Sequence, residues 1–265
     1  MSRNGHTQPI HRPIPTLPGL PRPLFARVES LRRPAATDWH SHPWAQLSYA
    51  THGVLSVHTA HGRFLAPPQR AILVPPDLEH TVISSPGTEM RSLYLEPQVV
   101  AWAPNHCLVL EITPLTRELI STFGQITPEY AQDSADGRLV SVLLDQLQSA
   151  PRTGLFLPWP TDARLQQQCE QLFVQPDLPA SLVLWSQQMG ISEKTLSRIF
   201  RRETGITFRA WCQRLRLLHA LPLLDQGQSV TDVALACGYE STSAFIAAFR
   251  QQLGVTPGSL AARGR

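Results

Sequence analysis

Three histidines and one amide in the first third of the chain are residue types that can bind a metal, if a barrel interior brings Gln46 and His80 alongside His40 and His42. His40 and His42 are two residues apart, so on an extended strand both rings project to the same side. Gln46 follows after three residues, and Pro75-Pro-Asp77-Leu-Glu-His80 supplies a third imidazole. Three imidazoles and an amide oxygen suit one divalent transition metal (Zn, Ni, Mn or Fe), without choosing among them. The other reading is a retired metal site, its histidines bonded to one another and to water, in a pocket that takes an organic effector or nothing. A second constellation lies near the C-terminus. Lys194, Ser197, Arg198, Arg201 and Arg202 fall on one side of a helical segment whose other side carries Leu196, Ile199 and Phe200. A basic helix face of this kind suits phosphate and base contacts. Ser241, Thr242, Ser243 and Arg250 occupy the corresponding later segment.

The elements that must position these groups differ in kind. From about 24 to 97 the chain shows short β-rich runs broken by Gly and Pro, among them Ala45–Tyr49, Val54–Thr59, Ala71–Val74, Thr81–Ser84 and Arg91–Leu95. Short strands without intervening helices predict an antiparallel barrel or sandwich. Residues 1–23 hold six prolines and almost no apolar periodicity, and read as a disordered tail. From Pro114 the period becomes helical, over Pro114–Phe123, Ser134–Gln148 and about 161–173. The stripe Leu139, Val142, Leu143 and Leu147 would be buried in its own domain or, alternatively, form a dimer surface.

The basic face belongs to a repeated design. Ser181–Met189 reads as a helix stopped by Gly190, and Ser192 caps a second helix running to about Thr204 before Gly205. The arrangement returns with Ser229 and Asp232 as a capping box, a Cys237–Gly238 turn, and a helix from Ser241 or Ser243 to Leu253. Between them lies Thr207–Leu224, a helix of roughly 27 Å that could hold two recognition helices about one DNA turn apart.

This second unit, from Val230 to Phe245, resembles the AraC/XylS family of regulators, as do Phe249-Arg250 and Gly254-Val-Thr-Pro257. The likeness runs from about Leu165 to Ala262. Two positions depart from it: Ala247, where many members carry Arg, and Leu260, where an aromatic is usual. The first unit, with Arg198 and Arg201, is therefore expected to carry more of the binding. The histidine constellation is similar to the two-part cupin motif, with Gln46 replacing a glutamate and Asp77 a glycine, and Gly53 at the end of the first part. The resemblance implies an N-terminal cupin-like β-barrel. His52, His58 and His61 fit no ligand spacing and read as surface or turn residues; Trp39 and Trp44 read as core packing.

The expected architecture is thus α+β: a disordered tail (1–23), a cupin-like effector domain (24–112), a helical connector (113–160) and an all-α domain with two helix-turn-helix units (161–265). Charge supports the division. Residues 176–265 carry a net charge of +4 and residues 1–175 a net of −1, which places the basic excess where a polyanion would bind. Cys107, Cys169, Cys212 and Cys237 form no CxxC pair and read as free thiols of a reducing cytoplasm. No stretch is long enough to span a bilayer. The function these features imply is transcription regulation. Its expected partners are double-stranded promoter DNA, a small-molecule or metal effector, RNA polymerase and a second copy of the chain in a homodimer. A metal-dependent cupin enzyme with a DNA-binding appendage is the alternative, and an alkyl-transfer repair protein is excluded for want of a cysteine cluster.

Overall fold

The computed structural model describes residues 9–14, 16–154, 156–176 and 178–259. The chain divides into two compact units, one of residues 1–59 and 64–155, the other of residues 60–63 and 156–265.

Strands of the first unit are β1 (Ile10–His11), β2 (Leu24–Leu31), β3 (Ala35–Ala36), β4 (Ala45–His52), β5 (Leu55–Thr59), β6 (Gly62–Ala66), β7 (Arg70–Val74), β8 (His80–Ser84), β9 (Thr88–Leu95), β10 (Leu108–Glu111) and β11 (Arg152–Thr153). They make two separate sheets, one in the order β1-β3-β8-β5-β6, the other β11-β10-β7-β4-β9-β2. Both are open, so the expected closed, cupin-like barrel does not form. Closure needs an unbroken ladder around every strand. Here the ladder breaks between β2 and β3, where 32–34 carry no strand and only Ala35–Ala36 then pair in the other sheet. Pro34 has no N–H to donate at that seam.

β4 sorts its residues by the two-residue period of a strand. Ala45, Leu47 and Tyr49 join a core with Leu73, Leu93 and Leu95. Helices α1 (Pro114–Phe123) and α2 (Ala135–Ser149) close that core through Ile120, Phe123, Val140, Leu143 and Leu147. These helices thus belong to the first unit. Of the apolar stripe expected on α2, Leu143 and Leu147 are buried, Leu139 packs at the core edge, and Val142 is 45% exposed. Gln46 and Ser48 lie on the opposite face of β4 and are buried as well.

Part of the stretch expected to be a disordered tail is ordered. β1 pairs parallel with β3, and Arg12 is buried against Glu29 at 2.9 Å. A buried guanidinium needs such a counter-charge. Residues 1–8 and Pro15 lie outside the described residues.

In the second unit, β12 (Phe156–Pro158) precedes α3 (Ala163–Val174), α4 (Leu182–Met189), α5 (Glu193–Thr204), α6 (Phe208–Asp225), α7 (Val230–Ala236) and α8 (Thr242–Leu253). Side-chain oxygens of Ser192, Thr207, Ser229 and Ser241 accept from first-turn N–H groups of α5, α6, α7 and α8. Gly190 follows α4 at φ 65°, the left-handed conformation that turns the chain into α5. Trp185, Phe200, Phe208 and Trp211 pack edge-on or tilted around the first helix pair, with centroids from 4.8 to 6.3 Å apart. Tyr239, Phe245 and Phe249 do the same for the second.

Candidate functional site

The first site lies where the ends of β4 and β8 meet. His40 and His80 form an isolated antiparallel bridge, each backbone N–H donating to the other's carbonyl at 2.9 Å. The loop leading to β8 is tied down as Asp77 N–H donates to the His42 carbonyl at 2.9 Å. Asp77 adopts φ 60°, a left-handed conformation that Asp tolerates better than most residues. The aspartate therefore does the conformational work of the glycine in the resembled motif. Gly53, at φ 83°, cannot be replaced so easily, because a Cβ there would collide with Thr88.

One ligand atom from each of His40, His42 and His80 lies within 4.8 Å of the others, so this cluster can coordinate a divalent metal. Its hydrogen bonds suit that use. Nδ1 of His40 faces the Asp38 carbonyl at 2.9 Å, Nδ1 of His42 the Trp44 carbonyl at 2.7 Å, and Nδ1 of His80 the Leu78 carbonyl at 2.8 Å. A carbonyl only accepts, so each Nδ1 carries the hydrogen and each Nε2 keeps its lone pair. Nδ1–H bonded to a backbone carbonyl is the usual support of an imidazole that ligates through Nε2. Nε2 of His80 is buried with no hydrogen-bond partner among the described residues. Burial holds the His80 imidazolium down to about pKa 3 and lowers His40 too, which keeps both rings neutral and able to ligate.

Gln46 sits against this cluster from the other sheet, its Oε1 3.0 Å from His42 Nε2 and its Nε2 donating to Ser48 Oγ at 3.1 Å. With Nδ1 of His42 protonated, the first contact sets two lone pairs face to face. A cation beside both atoms relieves that contact, as does rotation of the amide so that its NH2 donates. Trp44, expected as core, stacks on the His42 ring at 5.4 Å and 14°, whereas Trp39 is 49% exposed.

The second site is α5. Leu196 and Phe200 are buried, while Lys194, Ser197, Arg198, Arg201 and Arg202 are exposed. Arg202 is engaged, donating to Glu203 at 3.2 Å. On α8, Phe245, Ala248 and Phe249 face inward. Ser241, Ser243, Ala247 and Arg250 are exposed and Thr242 is half-buried. Leu260 lies outside the described residues. Arg209, Gln213 and Arg216 of α6 fall at i, i+4, i+7 spacing on one helix face.

Residues 185–263 match the helix-turn-helix domain family, and residues 32–148 match the AraC-like ligand binding domain. The HTH-type transcriptional regulator NimR of Escherichia coli (strain K12) is 36% identical over 240 residues, which is 91% of this chain and 86% of NimR. RhaR, an HTH-type transcriptional activator of Klebsiella pneumoniae, is 34% identical over 88 residues, 33% of this chain and 31% of its own. Among solved structures, ToxT from Vibrio cholerae aligns at 10% identity and a TM-score of 0.39 over 91% of this chain and 99% of its own. The chain belongs to the AraC family of helix-turn-helix transcription regulators. It is a DNA-binding protein with an AraC-like ligand-binding domain in its first half. Its relatives are regulators, so the enzyme alternative is not carried forward. Among the described residues no helix is long and apolar enough to cross a membrane.

Proposed function

We propose that this chain is a one-component, metal-responsive regulator of promoter DNA. In the first unit a divalent transition metal is held by Nε2 of His40, His42 and His80, with Gln46 Oε1 as a weaker fourth donor. The observation that carries this is the shared lock on the three rings, each Nδ1 committed to a backbone carbonyl and His80 Nε2 buried without a partner. Such a metal would supply charge and open coordination positions to an effector with oxygen or nitrogen donors. In the second unit α5 and α8 enter successive major grooves. Lys194, Ser197, Arg198, Arg201 and Arg202 serve the first groove, and Ser241, Thr242, Ser243 and Arg250 the second. Arg198 and Arg201 contribute most, because α8 offers Ala247 on its exposed face. RNA polymerase is the further partner at the promoter.

The test is binding of the purified chain to a duplex it selects from a randomised pool, followed by fluorescence anisotropy with Zn²⁺ or Ni²⁺ present and after chelation. A metal-dependent change in affinity supports the reading. Equal affinity with and without metal, in a chain that binds metal stoichiometrically, removes the metal from regulation and leaves the DNA reading intact.

A further inference from the structure

A cleft of about 520 Å³ opens in the second unit between the two helix-turn-helix pairs. Its wall is built from the starts of α4 and α5, the first half of α6 and the turn before α8. Ser181, Glu193, Arg209, Gln213, Arg216 and Tyr239 supply its polar groups.

The cleft is prepared for an anion. Arg216 is half-buried, its guanidinium lying over Gly238, 3.7 Å from where a Cβ would stand. Neither Arg209, Gln213 nor Arg216 makes a hydrogen bond or ion pair among the described residues. Two guanidiniums on one wall without a carboxylate partner leave positive charge open to an anion. The Tyr239 hydroxyl is likewise buried without a partner. At the start of α4, Ser181 makes no capping hydrogen bond, so first-turn N–H groups remain open at the positive end of that helix. Glu193 is the one carboxylate on the wall; it forms no ion pair with either arginine among the described residues.

Position identifies the anion. Recognition helices meet base edges with their N-terminal residues, and this cleft lies between the N-terminal ends of α5 and α8. A duplex read by both helices presents to this gap the minor groove between its two major grooves, edged by sugar-phosphate backbone. We infer that this cleft binds the DNA sugar-phosphate backbone between the two half-sites, with Arg216 and Arg209 as its donors. It acts as a third, sequence-independent anchor, and it rests on the DNA reading above.

The experiment measures anisotropy of the full chain with its pool-selected duplex and with a scrambled duplex, across a salt series. Arg216→Gln should weaken both complexes by the same factor, roughly tenfold. The slope of log affinity against log salt should become shallower by about 0.9 for each phosphate left without its cation. Gln213→Glu, which adds a carboxylate to the cleft while leaving Arg216 in place, should act in the same direction, and circular dichroism checks that both variants are folded. An unchanged salt slope in both folded variants overturns the cleft while the wild type still binds. A loss confined to the selected duplex also overturns it, since it would make Arg216 a base reader. A wild-type chain that selects no duplex overturns the DNA reading itself.

Discussion

His40 and His80 exchange backbone hydrogen bonds at 2.9 Å across a single bridge, and their rings stand with centroids 4.3 Å apart. Two neutral imidazoles are thus held side by side by the backbone rather than by each other. Zn²⁺ or Ni²⁺ should raise the Tm of the chain, and His80→Ala should abolish that rise. Gln46→Glu should tighten metal binding in isothermal titration, because a carboxylate replaces an uncharged donor. A wild type whose Tm ignores both metals would count against the site.

The same burial gives a pH dependence. His80 has a folded pKa of about 3 against an ordinary value of 6.5, so between these values the unfolded chain binds the extra proton. Stability therefore rises with pH across that window and is fully present above it. Without metal, the denaturant midpoint should fall as pH is lowered from about 6.5, and His80→Asn should show a shallower fall. Parallel curves for the two proteins would remove His80 as the cause.

Arg198 and Arg201 are exposed on α5 and make no ion pair among the described residues. Arg198→Ala and Arg201→Ala should each cost about 1–3 kcal/mol of binding if they read bases, with thermal stability unchanged. The reciprocal change, Ala247→Arg on α8, should tighten binding. Unaltered affinity in both alanine variants would shift recognition away from α5.

Core and backbone give three stability tests. Leu143→Ala empties a fully buried position under the second sheet and should cost about 2–5 kcal/mol. Gly53→Ala forces a Cβ into Thr88 at a positive φ and should destabilise by more than about 1 kcal/mol. Asp77→Gly, at a left-handed position held by a non-glycine residue, should be nearly neutral. Urea midpoints measure all three.

The helical half of the molecule was the more legible in sequence because its boundaries are written locally. Ser192 and Gly205 bracket α5, and Ser241 and Gly254 bracket α8, each through bonds within a few residues. The pairing of His40 with His42 was legible from their two-residue step, whereas His80, far along the chain, was joined to them only by the resemblance to a two-part motif. Closure of the β-domain was not legible. Barrel and open sheets share one alternating pattern, and the difference lies in whether β2 and β3 continue a ladder across Pro34, a pairing between distant strands. The strand at Ile10–His11 was missed because two residues carry no period. Its partner β3, just as short, could not announce it either.

Arg12 follows that strand and is held by Glu29, seventeen residues on, with Met90 Sδ 2.7 Å from the guanidinium. A first unit begun at Leu24 should consequently be less stable than one begun before Ile10. Trimming to Leu24 would strip β3 of its parallel neighbour and leave the largely buried Glu29 carboxylate with Arg27 alone.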